Sequence, residues 1–518
     1  MASAAQAIDV ADILKEIPDR LHQTMDRAVS ATPDHPALVE GSVIWSYRQL
    51  SESVEQVASA LRELNVRPGD RMMIVSENCI ALAALLLAAS RIDAWAIVVN
   101  PRLSPRELDQ IRDHSGARRM FFTVNVSPES ANHATRVGAT IGNVGPLKDI
   151  GIGLLNETAA AEPVHVNPAK QVAVLIYTSG TTGTPKGVML THENLLFSAK
   201  AIALFRKMDN RDRVYVVLPI SHIVGVSLLL QTLMTGGTVQ MVSKYDPAVL
   251  AKAIAEDGVT ILNGVPATFQ RLLEYKTLQG IDKLNTGSLR MITVAGAPLD
   301  LDLKRRTEQE LGLSLLNGYG ITECSPGISG VRLDSPRPDE AVGTLLPGIE
   351  ARIVNREGAI VADGTVGELH VRGRNVMLGY YRAPDLTAKA IDSDGWFNTG
   401  DLARADGGCF FIVGRTKEMI IRSGFNVYPA EVEAVLSSHD AVVQSAVVGR
   451  SADGNEEVVA FVQLLKGSNV TPSELMAFAG KQLTSYKRPS QIIVLDALPA
   501  TSTGKILKHK LAESLRET

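Results

Sequence analysis

Apolar residues in the first 320 positions follow two alternating patterns. Continuous apolar runs, such as residues 71–75 and 172–177, are typical of buried strands. Between such runs lie stretches such as residues 50–61, where apolar side chains recur every three or four positions, as on one helix face. Strands that alternate with helices of about 10–15 residues predict parallel sheets covered by helices. We therefore expect an α/β fold of doubly wound βαβ units.

The pattern changes after about residue 342. Short strands separated by glycine-containing turns predict a small β-rich subdomain up to residue 411. Beyond the turn at residues 414–418, the pattern indicates a compact α+β unit. We place the domain boundary there, with a large N-terminal domain at residues 1–416 and a small C-terminal domain at residues 417–518. Residues 125–168 lack a clear pattern and are expected to be irregular.

Length and composition narrow the class of protein. A chain of 518 residues exceeds what one hydrophobic core usually holds, and a net charge of −4 shows no general basicity for nucleic acid. The three cysteines, Cys79, Cys324 and Cys409, lack the spacing of a zinc site or a disulfide framework. The most apolar window is interrupted by Arg91 and Asp93, and no secretory signal is recognisable. These features predict a cytoplasmic enzyme without stable membrane insertion.

A glycine- and threonine-rich segment follows the predicted strand at residues 172–177. Its sequence is Tyr177-Thr-Ser-Gly-Thr-Thr-Gly-Thr-Pro-Lys-Gly187. Glycines let successive backbone N–H groups point into one concavity, hydroxyls add donors, and Lys186 adds a positive charge. A solvated surface loop is the plain alternative, and a Walker A loop is excluded because Gly-Lys-Ser/Thr is absent here. The segment predicts a phosphate-binding loop of another kind.

Several later segments suit a nucleotide, although each is also compatible with an ordinary turn or surface charge. Gly318-Tyr-Gly-Ile-Thr-Glu323 offers a ring for stacking and a carboxylate suited to Mg²⁺. In Gly395-Trp-Phe-Asn-Thr-Gly-Asp401, the carboxylate could accept both hydroxyls of a ribose. Arg415 is either a nucleotide contact or a surface charge. Taken alone, Lys505 reads as a solvated lysine and His222 as a core histidine.

Together these segments resemble the motifs of the adenylate-forming superfamily, which includes acyl-CoA synthetases, adenylation domains of nonribosomal peptide synthesis and beetle luciferases. They stand in the order of the family, and the best-matching branch is that of 4-coumarate, aryl and medium-chain acyl-CoA ligases. The resemblance implies that ATP converts a fatty or aromatic monocarboxylic acid to acyl-AMP with release of pyrophosphate, after which coenzyme A forms the thioester. The matching segments are residues 177–187, 318–323, 396–401, 414–418, 423–431 and 499–505.

The resemblance also implies roles for individual residues. Lys505 is expected to stabilise the charge that develops during adenylation, Glu323 to bind Mg²⁺, and His222 to gate the site beside the substrate carboxylate. Phosphate contacts are expected from a loop that comprises Thr178, Ser179, Gly180, Thr181, Thr182, Gly183, Thr184 and Lys186, with Thr182 as a catalytic hydroxyl. The remaining nucleotide contacts are expected from Ala295, Gly296, Ala297, Asn317, Gly318, Tyr319, Gly320 and Thr322 around adenine and from Asp401 and Arg415 at the ribose.

An acyl pocket, a CoA path and a hinge follow from the same resemblance. Lys417 is expected to be the hinge about which a mobile C-terminal domain moves between the two half-reactions. Gly424 and Arg488 are expected to contact CoA, although a solvated charge is an equal reading of Arg488. The pocket is expected to be lined by His222, Ile223, Gly225, Val226, Gly318, Gly320, Cys324 and Gly327. Because these segments contain no Lys or Arg, a dicarboxylate substrate is disfavoured.

Two alternatives to a CoA ligase share part of this pattern. An adenylation enzyme that loads a separate acyl or aryl carrier protein uses the same motifs. A catalytically inactive nucleotide-binding protein is disfavoured because every expected chemical position is filled. Relatives are monomers or homodimers, and some bacterial relatives imply a regulatory partner: a lysine acetyltransferase, opposed by a deacetylase, that would neutralise Lys505 and silence adenylation.

Overall fold

The structure, a computed structural model, describes residues 9–178, 186–422, 425–452, 455–500 and 506–515. The helices before residue 420 are α1 (Val10–Glu16), α2 (Asp26–Ala31), α3 (Tyr47–Glu63), α4 (Ile80–Arg91), α5 (Pro105–Ser115), α6 (Pro128–Arg136), α7 (His192–Phe205), α8 (Ile223–Thr235), α9 (Pro247–Glu256), α10 (Pro266–Leu278), α11 (Leu301–Leu311) and α12 (Pro384–Ala390). Among the described residues, no helix is long and apolar enough to cross a membrane.

The strands of the same region build three sheets. In chain order they are β1 (Pro36–Glu40), β2 (Val43–Ser46), β3 (Arg71–Val75), β4 (Trp95–Val99), β5 (Arg119–Thr123), β6 (Thr140–Val144), β7 (Leu147–Ile152), β8 (Val172–Thr178), β9 (Lys186–Thr191), β10 (Arg213–Val216), β11 (Thr238–Met241), β12 (Ile261–Gly264), β13 (Met291–Val294), β14 (Leu315–Gly320), β15 (Gly327–Gly330), β16 (Thr344–Leu345), β17 (Glu350–Val354), β18 (Gly367–Arg372), β19 (Gly379–Tyr380), β20 (Phe397–Asp406) and β21 (Cys409–Arg415).

Two large mixed sheets, each with parallel strands at its centre, form the body of the N-terminal region. One has the order β16-β15-β14-β13-β12-β10-β11-β1-β2 and the other the order β19-β9-β8-β4-β3-β5-β7-β6. The strands from β10 to β14 that neighbour each other pair in parallel, so their carboxyl ends meet at one edge. This arrangement confirms the predicted α/β fold with βαβ units.

The main hydrophobic core lies between these two sheets. It contains residues of α3, α4, α7 and α8 together with inward-facing residues of both sheets. In α4, every residue from Leu82 to Ser90 is buried, as expected for a helix that is apolar on all sides. By contrast, α3 buries one face and begins at a capping box that the sequence Ser46-Tyr-Arg-Gln49 predicts, in which Ser46 and Gln49 bond each other's backbone N–H groups.

The predicted small β-rich subdomain is the sheet β17-β18-β20-β21. Alternate residues of β18 are buried, and Leu369 and Val371 join the main core. Strand β20 was not predicted, because a Gly-Asp pair is typical of a turn. The structure instead places Asp401 inside β20, where it is the cross-strand partner of Arg415 in β21. The sheet therefore fixes both predicted ribose contacts side by side.

A separate core stabilises the residues after 419. Their elements are β22 (Ile420–Arg422), β23 (Phe425–Val427), α13 (Pro429–Ser437), β24 (Val442–Ala452), β25 (Asn455–Leu464), α14 (Pro472–Gln482), β26 (Gln491–Val494) and α15 (Lys508–Ser514). Two buried apolar clusters consist entirely of residues from this region. Lys508 Nζ lies 2.7 Å from Glu433 Oε1 and 3.3 Å from Glu418 Oε2. A large N-terminal and a small C-terminal domain are thus confirmed, whereas the boundary at 416/417 stays a prediction.

The expectation that residues 125–168 are irregular is wrong for their first part. Helix α6 begins at the N-cap Ser127 and buries only a narrow face that includes His133 and Ala134. The hairpin of β6 and β7 pairs in antiparallel fashion with β5. These elements are polar and short, so their apolar periodicity is too weak to reveal them.

Candidate functional site

The predicted nucleotide site lies at the carboxyl ends of parallel strands, where ligands bind in open α/β sheets. Gly318 and Gly320 end β14, and residues 295–297 follow the neighbouring strand β13, in which Val294 pairs with Asn317. Gly296 has a φ of 85°, a left-handed conformation that favours glycine. The two segments predicted to surround adenine are thus neighbours in the sheet.

Two of the residues predicted to hold adenine and ribose, Tyr319 and Arg415, converge on the carboxylate of a third, Asp401. The Tyr319 hydroxyl donates a hydrogen bond to Asp401 Oδ2 at 2.5 Å, and Arg415 Nε lies 3.1 Å from Asp401 Oδ1. The Asp401 side chain is 5% exposed. Burial, and then the charge of Asp401, raises the pKa of Tyr319 well above its usual value, so the hydroxyl stays a donor. An aromatic face, a carboxylate and a guanidinium therefore share one small site.

Tyr380 lies between Glu323, the predicted metal ligand, and Lys186 at the end of the predicted phosphate loop. The Tyr380 hydroxyl donates to Glu323 Oε1 at 3.0 Å, while Lys186 Nζ lies 5.4 Å from the centre of the Tyr380 ring. The backbone carbonyl of Glu323 accepts a bond from Met377 N at 2.8 Å. Tyr380 was not predicted as a site residue; its only sequence signal is Gly379-Tyr-Tyr381, which is too common to be specific.

Much of the predicted phosphate loop falls outside the described residues. Thr178 and Lys186, which flank it, are register partners in β8 and β9, so the two residues that bound the loop lie side by side. Strand β9 was not predicted. The predicted contacts that lie outside the described residues are Ser179, Gly180, Thr181, Thr182, Gly183, Thr184, Gly424 and Lys505.

The predicted hinge residue lies beside the nucleotide site. Burial, and then the positive charge of Arg415, lowers the pKa of Lys417; Lys186 acts in the same direction, and Asp401 opposes it. Lys417 therefore senses charges from both the ribose end and the phosphate end of the site. Its role as a hinge stays a prediction.

The predicted acyl-pocket residues lie in two segments, one at the start of α8 and one that runs from the end of β14 to the start of β15. His222 is the N-cap of α8, and its backbone N–H donates to Pro219 O at 2.9 Å. Ile223 and Val226 are buried, and so is Cys324, whose thiol has a pKa well above its usual value because of burial. These surroundings suit an apolar acyl group.

Three of the pocket glycines serve close packing of the protein itself. A Cβ at Gly225 would lie 2.3 Å from Pro219 O, and one at Gly320 would lie 2.2 Å from Pro326 O. At Gly327 it would lie 2.5 Å from Leu346 Cδ1. A side chain at any of these positions would displace neighbouring atoms.

Gly318 differs, because its missing side chain faces a cation. Arg206 Nη2 lies 3.4 Å from the position of a Cβ at Gly318. Arg206 is the C-cap of α7 and lies outside the segments that resemble the family motifs, so the lack of Lys and Arg in those segments does not exclude a cation beside Gly318.

Two residues predicted to contact ligands, Asn317 and Arg488, form hydrogen bonds with the backbone of the protein itself. Asn317 Nδ2 donates to Glu340 O at 2.9 Å, and its Oδ1 accepts from Gly318 N at 3.0 Å. Arg488 Nε donates to Leu483 O at 2.9 Å, while the rest of this side chain is exposed. Thr322 is the first residue of the short helical turn Thr322–Cys324, which also contains Glu323. Their roles toward ATP and CoA stay predictions.

Comparison with known proteins identifies the class. Residues 25–381 match the family described as AMP-binding enzyme, and residues 431–505 match the AMP-binding enzyme C-terminal domain. The chain belongs to the AMP-binding enzyme family, in the acyl-CoA synthetase branch of the adenylate-forming superfamily. It is an AMP-forming acid–CoA ligase that uses ATP and CoA and acts through an acyl adenylate.

The relatives that support this class cover nearly the whole chain. A feruloyl-CoA synthase of a Streptomyces species is 36% identical over 94% of this chain and 97% of the relative. A long-chain-fatty-acid–CoA ligase of Salmonella typhimurium is 32% identical over 98% of this chain and 97% of the relative. Among solved structures, ATP-bound MatB from Rhodopseudomonas palustris has a TM-score of 0.84 at 30% identity, with 96% of this chain and 99% of that chain covered.

Proposed function

We propose that this ligase activates a fatty or aromatic monocarboxylic acid with Mg²⁺·ATP at the site built around Asp401 and Glu323. The observation that carries the proposal is the Asp401 carboxylate, which lies between the Tyr319 hydroxyl and the Arg415 guanidinium. A buried carboxylate can accept both hydroxyls of a ribose, and the adjacent ring can stack on adenine. The names of relatives, one for feruloyl-CoA and one for long-chain fatty acids, support this substrate range.

Glu323 has the chemistry expected of a magnesium ligand. Its Oε1 accepts the Tyr380 hydroxyl, whereas its Oε2 accepts no hydrogen bond from the described part of the chain. Mg²⁺ is usually held by one or two carboxylates together with nucleotide phosphates. The ion would neutralise phosphate charge, and Tyr380 would keep the carboxylate oriented toward it. A relative, the O-succinylbenzoate CoA synthetase MenE of Bacillus subtilis, has a structure with ATP and a magnesium ion.

Adenylation requires that the acid and the α-phosphate be held in line. A carboxylate oxygen of the substrate attacks the α-phosphorus, the bond to the β-phosphate breaks, and pyrophosphate leaves. In the proposal, the loop between Thr178 and Lys186 holds the leaving pyrophosphate, and Lys505 stabilises the charge on the α-phosphate oxygens. His222 adjoins the substrate carboxylate. The CoA thiol then attacks the acyl carbon, and AMP leaves.

The second half-reaction is proposed to need a rotation of the C-terminal domain about Lys417. Two features support this. The residues after 419 have their own hydrophobic core, so they can move as a unit. Moreover, the TM-score is 0.84 with ATP-bound MatB but 0.74 with apo MatB, at the same 96% coverage. A change in domain arrangement between the two forms of that relative would account for this difference.

The test of these roles is the variant Lys505→Ala. We expect carboxylate-dependent ATP–pyrophosphate exchange to fall by about 100- to 1,000-fold, as for loss of an oxyanion donor. Thioester formation from supplied acyl-AMP should remain largely intact. Lys510→Ala, at an exposed position of α15, is the matched control. An equal loss of both half-reactions in Lys505→Ala would contradict the proposed division of roles.

The substrate is identified by a screen of short, medium and long fatty acids, benzoates and cinnamates. Pyrophosphate release reports the first step, and CoA-dependent AMP release reports the second. If a chosen acid gives pyrophosphate but CoA does not release AMP, the enzyme instead loads a separate carrier protein. A cytoplasmic location, a monomer or homodimer, and silencing by acetylation of Lys505 complete the proposal; full adenylation by a site-specifically acetylated protein would disprove the last.

A further inference from the structure

Arg206 brings a positive charge to the wall of the acyl pocket. Helix α7 ends at Phe205, and Arg206 is its C-cap. Its guanidinium passes against β14, where Nη2 lies 3.4 Å from the Cβ position of Gly318. Gly318 is one of the residues predicted to line both the adenine and the acyl parts of the site. The cation therefore adjoins the predicted path of the acyl group.

This charge has no counterion in the described part of the chain. No described residue makes an ion pair or a hydrogen bond with the guanidinium, and Nη1 is shielded from solvent. Burial alone lowers the pKa of Arg206 to about 10, with no carboxylate to oppose it. The C-terminal end of α7 carries a partial negative charge that offsets this cost only in part.

The surroundings of the guanidinium are otherwise apolar. One helical turn earlier, Ile202 Cδ1 lies 2.9 Å from the Cβ position of Gly327, and Phe205 Cε1 lies 3.3 Å from the Cβ position of Gly330. Both are buried members of the main core. The Arg206 side chain is half-buried, and its Nη1 is shielded from solvent without a hydrogen-bond partner, which is unfavourable for a cation, so a purely structural role would favour an apolar residue of similar shape. Perturbed, unpaired charges in clefts are candidates for ligand recognition.

We propose that Arg206 binds an oxygen substituent of the acyl group, at a distance from the carboxylate that becomes adenylated. This inference rests on the proposed function, because it assumes that the acid occupies the pocket beside Gly318. The guanidinium offers two or more N–H donors that match a carboxylate and that also bind a hydroxyl or ether oxygen. Such a site selects oxygenated acids, because an unsubstituted acid leaves the buried donors unpaired.

The test compares matched acids in the adenylation step. The aromatic series is cinnamate, 4-hydroxycinnamate and 4-carboxycinnamate; the aliphatic series is octanoate, 8-hydroxyoctanoate and octanedioate. For each acid, kcat/KM is measured from pyrophosphate release with wild type, Arg206→Met, Arg206→Lys and Lys207→Met. Lys207 is the matched control because it is 59% exposed and pairs with Asp334 at 2.9 Å. Comparing the hydroxyl-substituted with the carboxyl-substituted acid in each series shows whether Arg206 prefers a neutral or an anionic substituent.

In the series that the enzyme accepts, we expect an oxygenated acid to exceed its parent by about 10- to 100-fold, the range for a hydrogen bond to a charged group. Arg206→Met should lower that ratio by the same factor, mainly through KM, and Arg206→Lys should restore part of it. Lys207→Met should keep the wild-type ratio.

Two results would overturn the inference. One is a wild-type enzyme that shows no preference for any oxygenated acid; the other is a folded Arg206→Met variant that keeps the preference. If Arg206→Met does not fold, the test relies on the ratio of kcat/KM between oxygenated and parent acids in wild type and in Arg206→Lys. Lysine keeps the charge but lacks the paired N–H donors of the guanidinium, so the ratio should be smaller in Arg206→Lys than in wild type. If neither series yields pyrophosphate at all, the proposed function fails instead, so the two failures are distinguishable.

Discussion

Replacing Asp401 by Asn tests the proposed ribose contact most directly. The change keeps the shape of the side chain but removes its charge. The ion pair with Arg415 contributes little, since the Arg415 side chain is 36% exposed and such pairs are worth about 0–1 kcal/mol. The larger effect comes from the 5% exposed carboxylate, which would accept two charged hydrogen bonds of about 1.5–3 kcal/mol each from the ribose.

An amide oxygen can still accept one of these bonds, although more weakly. We therefore expect Asp401→Asn to cost about 2–3 kcal/mol of ATP binding, which is about 30- to 150-fold in KM for ATP. The assay is ATP–pyrophosphate exchange at saturating acid, with the melting temperature as a control for folding. The same measurement with 2′,3′-dideoxy-ATP completes a double-mutant cycle. If Asp401 binds the ribose hydroxyls, the variant should lose less than about 3-fold with this analogue; an equal loss with both nucleotides would refute the reasoning.

Three further variants test the site and the core. Tyr380→Phe should raise the Mg²⁺ concentration for half-maximal adenylation by about 10-fold or more, because it removes the hydrogen bond that orients Glu323, the proposed metal ligand. Tyr381→Phe should leave this concentration unchanged. Gly225→Ala should lower the free energy of unfolding in urea by about 1–3 kcal/mol, because the new Cβ would lie 2.3 Å from a backbone carbonyl oxygen; Gly480→Ala, with its nearest neighbour at 3.9 Å, should not. Burial, and then the charge of Arg91, lowers the pKa of His22 to about 4 in the folded protein. Below about pH 6.5 the unfolded chain therefore binds one more proton at His22 than the folded chain does, and the free energy of unfolding decreases as the pH is lowered. At pH 5 we expect wild type to have lost about 1–2 kcal/mol relative to His22→Gln.

Elements with strong apolar periodicity could be predicted almost to the residue. The sequence pattern predicts helices over residues 80–91 and 247–256, and the structure shows α4 and α9 with these bounds, because each has a defined start and many apolar residues. The capping box at Thr471 and Glu474 likewise marks the start of α14. Helix α6 and strand β9 are too short or too polar for such signals, and only tertiary pairing stabilises them.

The residues of the candidate site likewise divide into those that the sequence predicts and those that only the structure shows. Tyr319, Asp401 and Arg415 could be predicted because they stand in segments that resemble family motifs, and the structure brings them together. Tyr380 and Arg206 could not, because their relevance depends on contacts with residues far away in the chain. Nothing in the sequence around Arg206 shows that the end of α7 packs against β14, so its charge reads as solvated until the helix is placed.

The salt bridges of Lys508 have a consequence for the timing of catalysis. Lys508 follows Lys505 by three residues, and its ammonium group is shared between Glu433 of α13 and Glu418, the neighbour of the proposed hinge Lys417. Burial opposes this charge, but the two carboxylates more than offset it and hold the pKa of Lys508 above its usual value. A rotation at the hinge would therefore draw the segment after Lys505 along with it. The withdrawal of Lys505, the proposed catalytic lysine, and the opening of the proposed path for CoA would then be one mechanical event.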